Sequence, residues 1–328
     1  MTEFSSARSP PLAKEAPACI AYTIDGGYLF PTLLSALQAR GSVAEDTCDI
    51  AICHIGAASA ASEAVHSICE SSGILFRQTA PSDIGNMHVM YARLFLDCIL
   101  ERSYGRILYV DGDTQISGSL RELVSAELSS GMILAAPDPM TIGIRADTRE
   151  GRRHSAYLES IGLPRSEVGD YFNSGVLCFN AKDLSEIRSA CLAEHSRSKR
   201  AFRFPDQDLL NLAARGRRQQ MSFKWNFPIY FLNHSGVEDD VAPRIYHFMS
   251  NPRPWHGAFA PWGAIPFERY AQLIHRYPQL AKLQPQLPAW LRAKYALQQY
   301  YKLASENLSA LPGDFRRRIA LIEKDAAV

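Results

Sequence analysis

The sequence predicts an α/β fold, a sheet wound with helices, followed by a helical C-terminal region. Between Ala18 and Ala136, short apolar runs alternate with segments whose apolar residues recur at helical spacing, the pattern of a parallel sheet built from βαβ units. One run, Arg106-Ile-Leu-Tyr-Val110, delivers two carboxylates, Asp111 and Asp113, to its end. That is the edge at which open α/β sheets bind ligands. From Phe267 the chain turns helical, aromatic-rich and basic.

The elements follow in order. Ala18-Cys-Ile-Ala-Tyr22 reads as the first strand, and after a glycine turn the leucines of Pro31 to Arg40 fall at helical spacing behind a proline suited to a first turn. Cys48 to His54 is a second strand, Ala60 to Ser71 a helix and Ile74 to Arg77 a third strand. Met87 to Leu100 reads as a helix leading into the strand that ends at Asp111. Met132 to Ala136 is a strand that carries Asp138 to its end, and Thr141 to Asp170 reads as a polar, irregular, mobile connection. Tyr171 to Asn180 is a strand, a helix starts near Lys182, and Asp206 to Ala214 is a helix with acidic residues in its first turn. Arg244 to Phe248 is a late strand.

Composition sets the frame. The chain has 328 residues, 47% apolar and 21% charged, enough for a sizeable core in one large domain with an appendage. A formal net charge of +1 argues against a nucleic-acid binder working through bulk charge. Residues 1–17 read as a disordered leader, residues 18–266 as the main domain and residues 267–328 as the helical region. The leader lacks the apolar core of a signal peptide, and no run reaches membrane-span length. Seven cysteines without a Cys-x-x-Cys pair, among them Cys53, Cys98 and Cys178 inside apolar runs, indicate buried thiols in a reducing cytoplasm.

Two carboxylates one residue apart repel unless a cation sits between them, so Asp111-Gly112-Asp113 is costly empty and natural around a hard divalent ion. A surface turn is the alternative, since Asp and Gly favour turns. A calcium loop would use Asp111, Asp113, Gln115, Ser117 and Glu122, but its glycine position holds Ile116. A phosphohydrolase of the haloacid-dehalogenase type would follow the strand with Asp-x-Asp-Gly-Thr, whereas Thr114 here arrives one position early.

Five segments in order, Tyr91-Ala-Arg-Leu94, Leu108-Tyr-Val-Asp-Gly-Asp113, Tyr171-Phe-Asn-Ser-Gly-Val-Leu177, Asp206-Gln-Asp-Leu-Leu-Asn211 and His247-Phe-Met-Ser-Asn-Pro-Arg-Pro-Trp255, resemble glycosyltransferase family 8. That group includes bacterial lipopolysaccharide galactosyl- and glucosyltransferases and glycogenin. The resemblance implies a nucleotide-sugar-binding fold of the GT-A type, a Rossmann-like mixed sheet flanked by helices. It also implies a retaining, metal-dependent transfer of galactose or glucose from a UDP-sugar to a glycan or glycolipid acceptor such as lipopolysaccharide.

Carried over residue by residue, the resemblance makes Asp111, Asp113 and His247 the ligands of manganese, or magnesium, with Gly112 between the carboxylates. Mixed oxygen and imidazole donors favour manganese. It assigns Arg93 and the turn Asp25, Gly26, Gly27 and Tyr28 to the nucleotide. Asp138, Asn173, Ser174, Asp206 and Gln207 surround the sugar, with Gln207 supporting developing positive charge and Asp206 the possible nucleophile. Ser250 and Arg253 flank the diphosphate. Gly27, Ser250 and Arg253 depart from the usual Asn, Gly and Lys, which keeps a non-catalytic carbohydrate- or nucleotide-sugar-binding relative as an alternative. The C-terminal region, with Trp290, Tyr295, Tyr300 and Tyr301 among Arg292, Lys294 and Lys302, reads either as a packed appendage with a solvated basic face or as a peripheral contact with the inner face of a membrane.

Overall fold

The computed structural model describes residues 16–100, 102–198, 201–309 and 314–328. Apart from Ala16 and Pro17, the leader expected over residues 1–17 lies outside them.

Among the described residues, ten strands form two sheets: β1 (Ala18–Ile24), β2 (Cys48–Ile55), β3 (Leu75–Thr79), β4 (Arg106–Val110), β5 (Thr114–Ile116), β6 (Ile133–Pro137), β7 (Phe172–Asn180), β8 (Arg218–Gln220), β9 (Phe227–Pro228) and β10 (Ile245–His247). The large sheet has the order β3-β2-β1-β4-β7-β6-β8, and the small one β5-β10-β9. Strands β1 to β4 run parallel, as the alternation predicts. Strand β7 is antiparallel to both β4 and β6, so the sheet is mixed. All seven residues of β1 are buried, as expected of a central strand covered on both faces.

In the small sheet β10 lies antiparallel to β5 with His247 opposite Thr114. That register brings a histidine from late in the chain beside the acidic loop that follows β4. The strands β5, β8 and β9, each of three residues or fewer, are too short to leave a periodic signal in the sequence.

Two expected elements differ. Met87 to Leu100 is no continuous α-helix but a 3-10 segment, Val89–Phe95, followed by one α-turn, Leu96–Ile99. Tyr91 through Leu96 are all buried, so no solvent face imposes a 3.6-residue period. The connection 141–170 holds two helices, Met140–Arg145 and Arg149–Ile161. The second begins at Thr148, whose hydroxyl accepts the Gly151 N–H at 2.9 Å, and ends at Gly162 with φ of 112°. Its arginine-rich surface conceals the few apolar residues, Leu158 and Ile161, that are buried. Cys98, expected inside, is exposed on the outer side of its α-turn.

Helices Ile265–Arg276, Ala289–Ser309 and Asp314–Glu323 complete the chain. Tyr270, Leu273, Ile319 and Ile322 are buried in the same apolar cluster as Ile20 and Tyr22 of β1. Phe315 stacks on His234 at 3.8 Å between ring centroids, and Arg316 grips Asp240 with two 2.6 Å hydrogen bonds. Beyond it, Glu323 accepts the Phe223 N–H at 2.9 Å and Ala327 donates to the Gln220 carbonyl at 2.9 Å. Among the described residues no helix is long and apolar enough to cross a membrane.

Candidate active site

The acidic loop is shaped by what packs behind it. A Cβ on Gly112 would stand 2.1 Å from the Thr32 hydroxyl, so only glycine lets the helix Leu29–Arg40 lie this close. The Thr114 hydroxyl, on which the phosphohydrolase alternative rests, donates to the Asp111 carbonyl at 2.9 Å and meets Ser35 Oγ at 2.8 Å. It therefore ties the loop to that helix. Asp111 N–H donates to the Gly175 carbonyl at 2.7 Å, and Phe248 N–H to the Asp113 carbonyl at 3.0 Å, joining both sheets across the loop.

These restraints bring Asp111, Asp113 and His247 together, with one ligand atom from each within 4.8 Å of the others. His247 Nε2 lies 3.3 Å from Asp113 Oδ1 and 3.7 Å from Asp111 Oδ2. Its Nδ1 meets Asn226 Oδ1 at 2.8 Å. Room for the imidazole exists because residue 175 is glycine: a Cβ there would fall 2.1 Å from His247 Cε1.

Two arginines hold the carboxylates. Arg253 pairs with Asp113 Oδ2, and its other nitrogen lies 3.5 Å from the Tyr28 hydroxyl. Arg93, buried with its guanidinium 4.4 Å from the Tyr109 ring centroid, reaches Asp111 Oδ1 and Asp206 Oδ2, each at 3.2 Å, and donates to the Ser174 carbonyl at 2.6 Å. Tyr109 OH adds a 2.5 Å hydrogen bond to Asp111 Oδ1. Burial pushes both carboxyls toward the neutral form, but at Asp113 the Arg253 guanidinium, with the His247 ring beside it, outweighs burial and holds the carboxyl well below the usual range. At Asp111, burial, reinforced by the Asp113 charge, prevails over Arg93 and lifts the carboxyl above that range. A half-buried and a buried carboxylate with an imidazole nitrogen, all converging on one point, fit a divalent cation.

A second cluster adjoins the first. Asp138 Oδ1 accepts the Met140 N–H at 3.0 Å, and its Oδ2 accepts Gln207 Nε2 at 2.9 Å and Asn173 Nδ2 at 3.2 Å. Burial lifts the Asp138 carboxyl against the pull of those donors. Gln207 Oε1 accepts from Asn173 Nδ2 at 3.0 Å and Ser174 N–H at 3.1 Å, while Asp206 Oδ2 accepts the Ser174 hydroxyl at 3.0 Å. The helix Pro205–Ala213 that supplies Asp206 and Gln207 is pinned to β7 by Asn211, which accepts the Phe172 N–H at 2.8 Å and donates to the Phe172 carbonyl at 2.9 Å.

Of the residues expected at the nucleotide, Asp25, Gly26 and Gly27 are exposed on the turn after β1, where Asp25 Oδ1 accepts the Gly27 N–H at 2.9 Å. Tyr28 packs edge-on against Trp255 and approaches Gly112. Ser250 is exposed. The guanidinium groups of Arg93 and Arg253 are directed at carboxylates. Sequence reasoning missed Asn226, the partner of His247, along with the wedging role of Gly175 and the pinning role of Asn211. Gly175 and Asn211 lie inside quoted motifs, but Asn226 lies in none.

Residues 19–258 match the family model of glycosyl transferase family 8. A lipopolysaccharide 1,3-galactosyltransferase of Salmonella typhimurium is 25% identical over 202 residues, covering 59% of this chain and 56% of the relative. A lipopolysaccharide 1,2-glucosyltransferase of Escherichia coli is 25% identical over 199 residues, covering 56% and 53%. The chain thus spans about half the length of these curated relatives. The crystal structure of the galactosyltransferase LgtC in complex with donor and acceptor sugar analogues superposes with a TM-score of 0.61 at 22% identity, covering 84% of this chain and 99% of that one. That likeness establishes the fold, the mixed α/β arrangement of GT-A glycosyltransferases. With the family model matching 240 of its 328 residues, the chain belongs to glycosyl transferase family 8.

Proposed function

We propose that this protein transfers a hexose, galactose or glucose, from a UDP-sugar to a glycan or glycolipid acceptor, with retention at the anomeric carbon. The observation that carries the reading is the convergence of Asp111, Asp113 and His247 beside the cluster of Asp138, Asn173, Asp206 and Gln207. A divalent cation, manganese by the donor set, would offset charge on the departing diphosphate. Arg253 holds one oxygen of Asp113 and leaves the other facing the centre. Asp138, Asn173 and Gln207 form a rigid polar wall of the kind that orients sugar hydroxyls.

Neither sugar-side candidate is poised as a covalent nucleophile. Gln207 Oε1 already accepts two hydrogen bonds, and Asp206 Oδ2 is shared between Arg93 and Ser174. This supports same-face attack, in which the leaving diphosphate takes the acceptor proton and the fixed Gln207 dipole faces the developing positive charge. Incubation with UDP-galactose or UDP-glucose and manganese should release UDP from one of them, and chelation with EDTA should abolish the release. A folded protein that releases UDP from neither donor would overturn the proposal.

The acceptor reading extends to the C-terminal region. The helix Ala289–Ser309 exposes Trp290, Leu297, Tyr300 and Tyr301 alongside Lys294. Such a face suits the cytoplasmic surface of an anionic membrane bearing a lipid-linked acceptor. Replacing Trp290, Leu297 and Tyr301 together by serine should release the protein from phosphatidylglycerol vesicles in a flotation assay. Unchanged flotation would sink this part of the reading.

A further inference from the structure

We propose that Asn226 is a positioning residue that fixes the tautomer of His247 and so aims the free lone pair of its Nε2 at the cation site. The orientation is transmitted by a relay of side-chain amides anchored on two backbone N–H groups. The inference rests on the cation reading of Asp111, Asp113 and His247, and its test separates the failure of one from the failure of the other.

The relay is read outward from groups whose roles are not negotiable. The Gly175 N–H can only donate, and it lies 2.9 Å from one atom of the Asn173 amide, which is therefore the oxygen. Asn173 Nδ2 then faces two acceptors, Asp138 Oδ2 and Gln207 Oε1. The Gln207 oxygen is fixed independently by the Ser174 N–H at 3.1 Å, which turns its Nε2 to Asp138.

Asn226 comes next. The atom of its amide 2.8 Å from Asn173 Oδ1 must be the donor, Nδ2, so its oxygen is the atom 2.8 Å from His247 Nδ1. An oxygen there requires the hydrogen on Nδ1. In the neutral ring that leaves Nε2 as an acceptor, facing Asp113 Oδ1 at 3.3 Å and Asp111 Oδ2 at 3.7 Å. Three acceptors meeting with no hydrogen among them is a cation's coordination shell in outline. Reversing any amide of the relay would set donor against donor or acceptor against acceptor. Asn226 is 2% exposed, Asn173 4% and His247 3%, so solvent does not repair such a reversal cheaply.

The same relay joins the sugar-side cluster to the cation site through Gln207, Asn173, Asn226 and His247. A buried second partner of this kind is worth roughly 10- to 100-fold in metal affinity. Asn226→Leu removes the acceptor, and manganese affinity, measured on the full chain by the electron paramagnetic resonance signal of free manganese, should fall by that factor. Asn226→Asp keeps an acceptor toward Nδ1 but sets an oxygen against Asn173 Oδ1, so its affinity should fall less than that of Asn226→Leu.

Long-range 1H–15N spectra of His-labelled, metal-free protein read the tautomer directly, with the His247 signals assigned by their loss in His247→Gln. The parent and Asn226→Asp should show Nδ1–H when neutral, and Asn226→Leu should lose that preference. A parent ring protonated on Nε2 alone, or undiminished manganese affinity in Asn226→Leu, would overturn the proposal. If Asn226→Leu does not fold, the parent and Asn226→Asp spectra decide it. An Nδ1–H ring in a parent that binds no manganese would leave the relay standing and defeat the cation reading.

Discussion

Asp113→Asn should cost roughly a thousandfold in the rate of UDP release at saturating manganese, the equivalent of several kcal/mol of charge stabilisation at the diphosphate. The substitution preserves shape and removes charge, so three consequences converge. The cation loses an anionic ligand. His247 Nε2, 3.3 Å from Asp113 Oδ1, loses the charge it faces. Arg253, paired with the other oxygen, is left as a partly buried cation without its counter-ion, which costs stability as well. Steady-state assays beside urea denaturation separate the parts. A folded Asp113→Asn protein turning over within tenfold of the parent would show that the reacting centre lies elsewhere.

Gly175→Ala should remove cation binding while leaving most of the fold intact. The added Cβ would stand 2.1 Å from His247 Cε1 and 2.7 Å from Nδ1, below any real contact, and a tight 3.0 Å from Asp111 Oδ2. The ring is the movable party, because Gly175 is held in β7 between β4 and β6. Its displacement breaks the Asn226 contact and carries Nε2 off the carboxylates. Overpacking of this kind destabilises by about 1–3 kcal/mol. A manganese titration should therefore show no saturable site in a protein whose circular dichroism is native. Unchanged affinity would mean that the backbone yields instead of the ring, and that the glycine is not what makes room for the ligand.

Chemistry and local pattern made the Asp111–Asp113 pair legible, and the resemblance to glycosyltransferase family 8 supplied the other site residues. Asp111 and Asp113 end an apolar strand, where a cation site and a surface turn both stood open, and His247 entered through the resemblance carried by the segment ending at Pro254-Trp255. Asp138, Asn173, Asp206 and Gln207 sit at strand and helix ends, and the structure places them in mutual contact. Asn226 was not legible because its role depends on where Asn173 and His247 lie, 53 and 21 positions away. Arg93 looked like a ligand contact, yet its donors are directed at Asp111, Asp206 and two backbone carbonyls, a set visible only once β4, β7 and the helix Pro205–Ala213 are assembled. In the fold, apolar periodicity revealed the long parallel strands. It could not reveal the helix Arg149–Ile161, whose buried residues are few, or the short strands β5 and β9 that flank β10 at the site.

Arg253 and Asp113 pair across 140 positions of sequence, and the loop they share is stitched to both sheets. A site assembled from such distant segments has no local precursor. Contacts at this separation carry a large loop-closure entropy and form late, after the elements that bear them have condensed. On the proposed reading, recognition of a donor would wait on completion of the whole fold. A half-folded chain presents the scattered acids without the convergence of Asp111, Asp113 and His247.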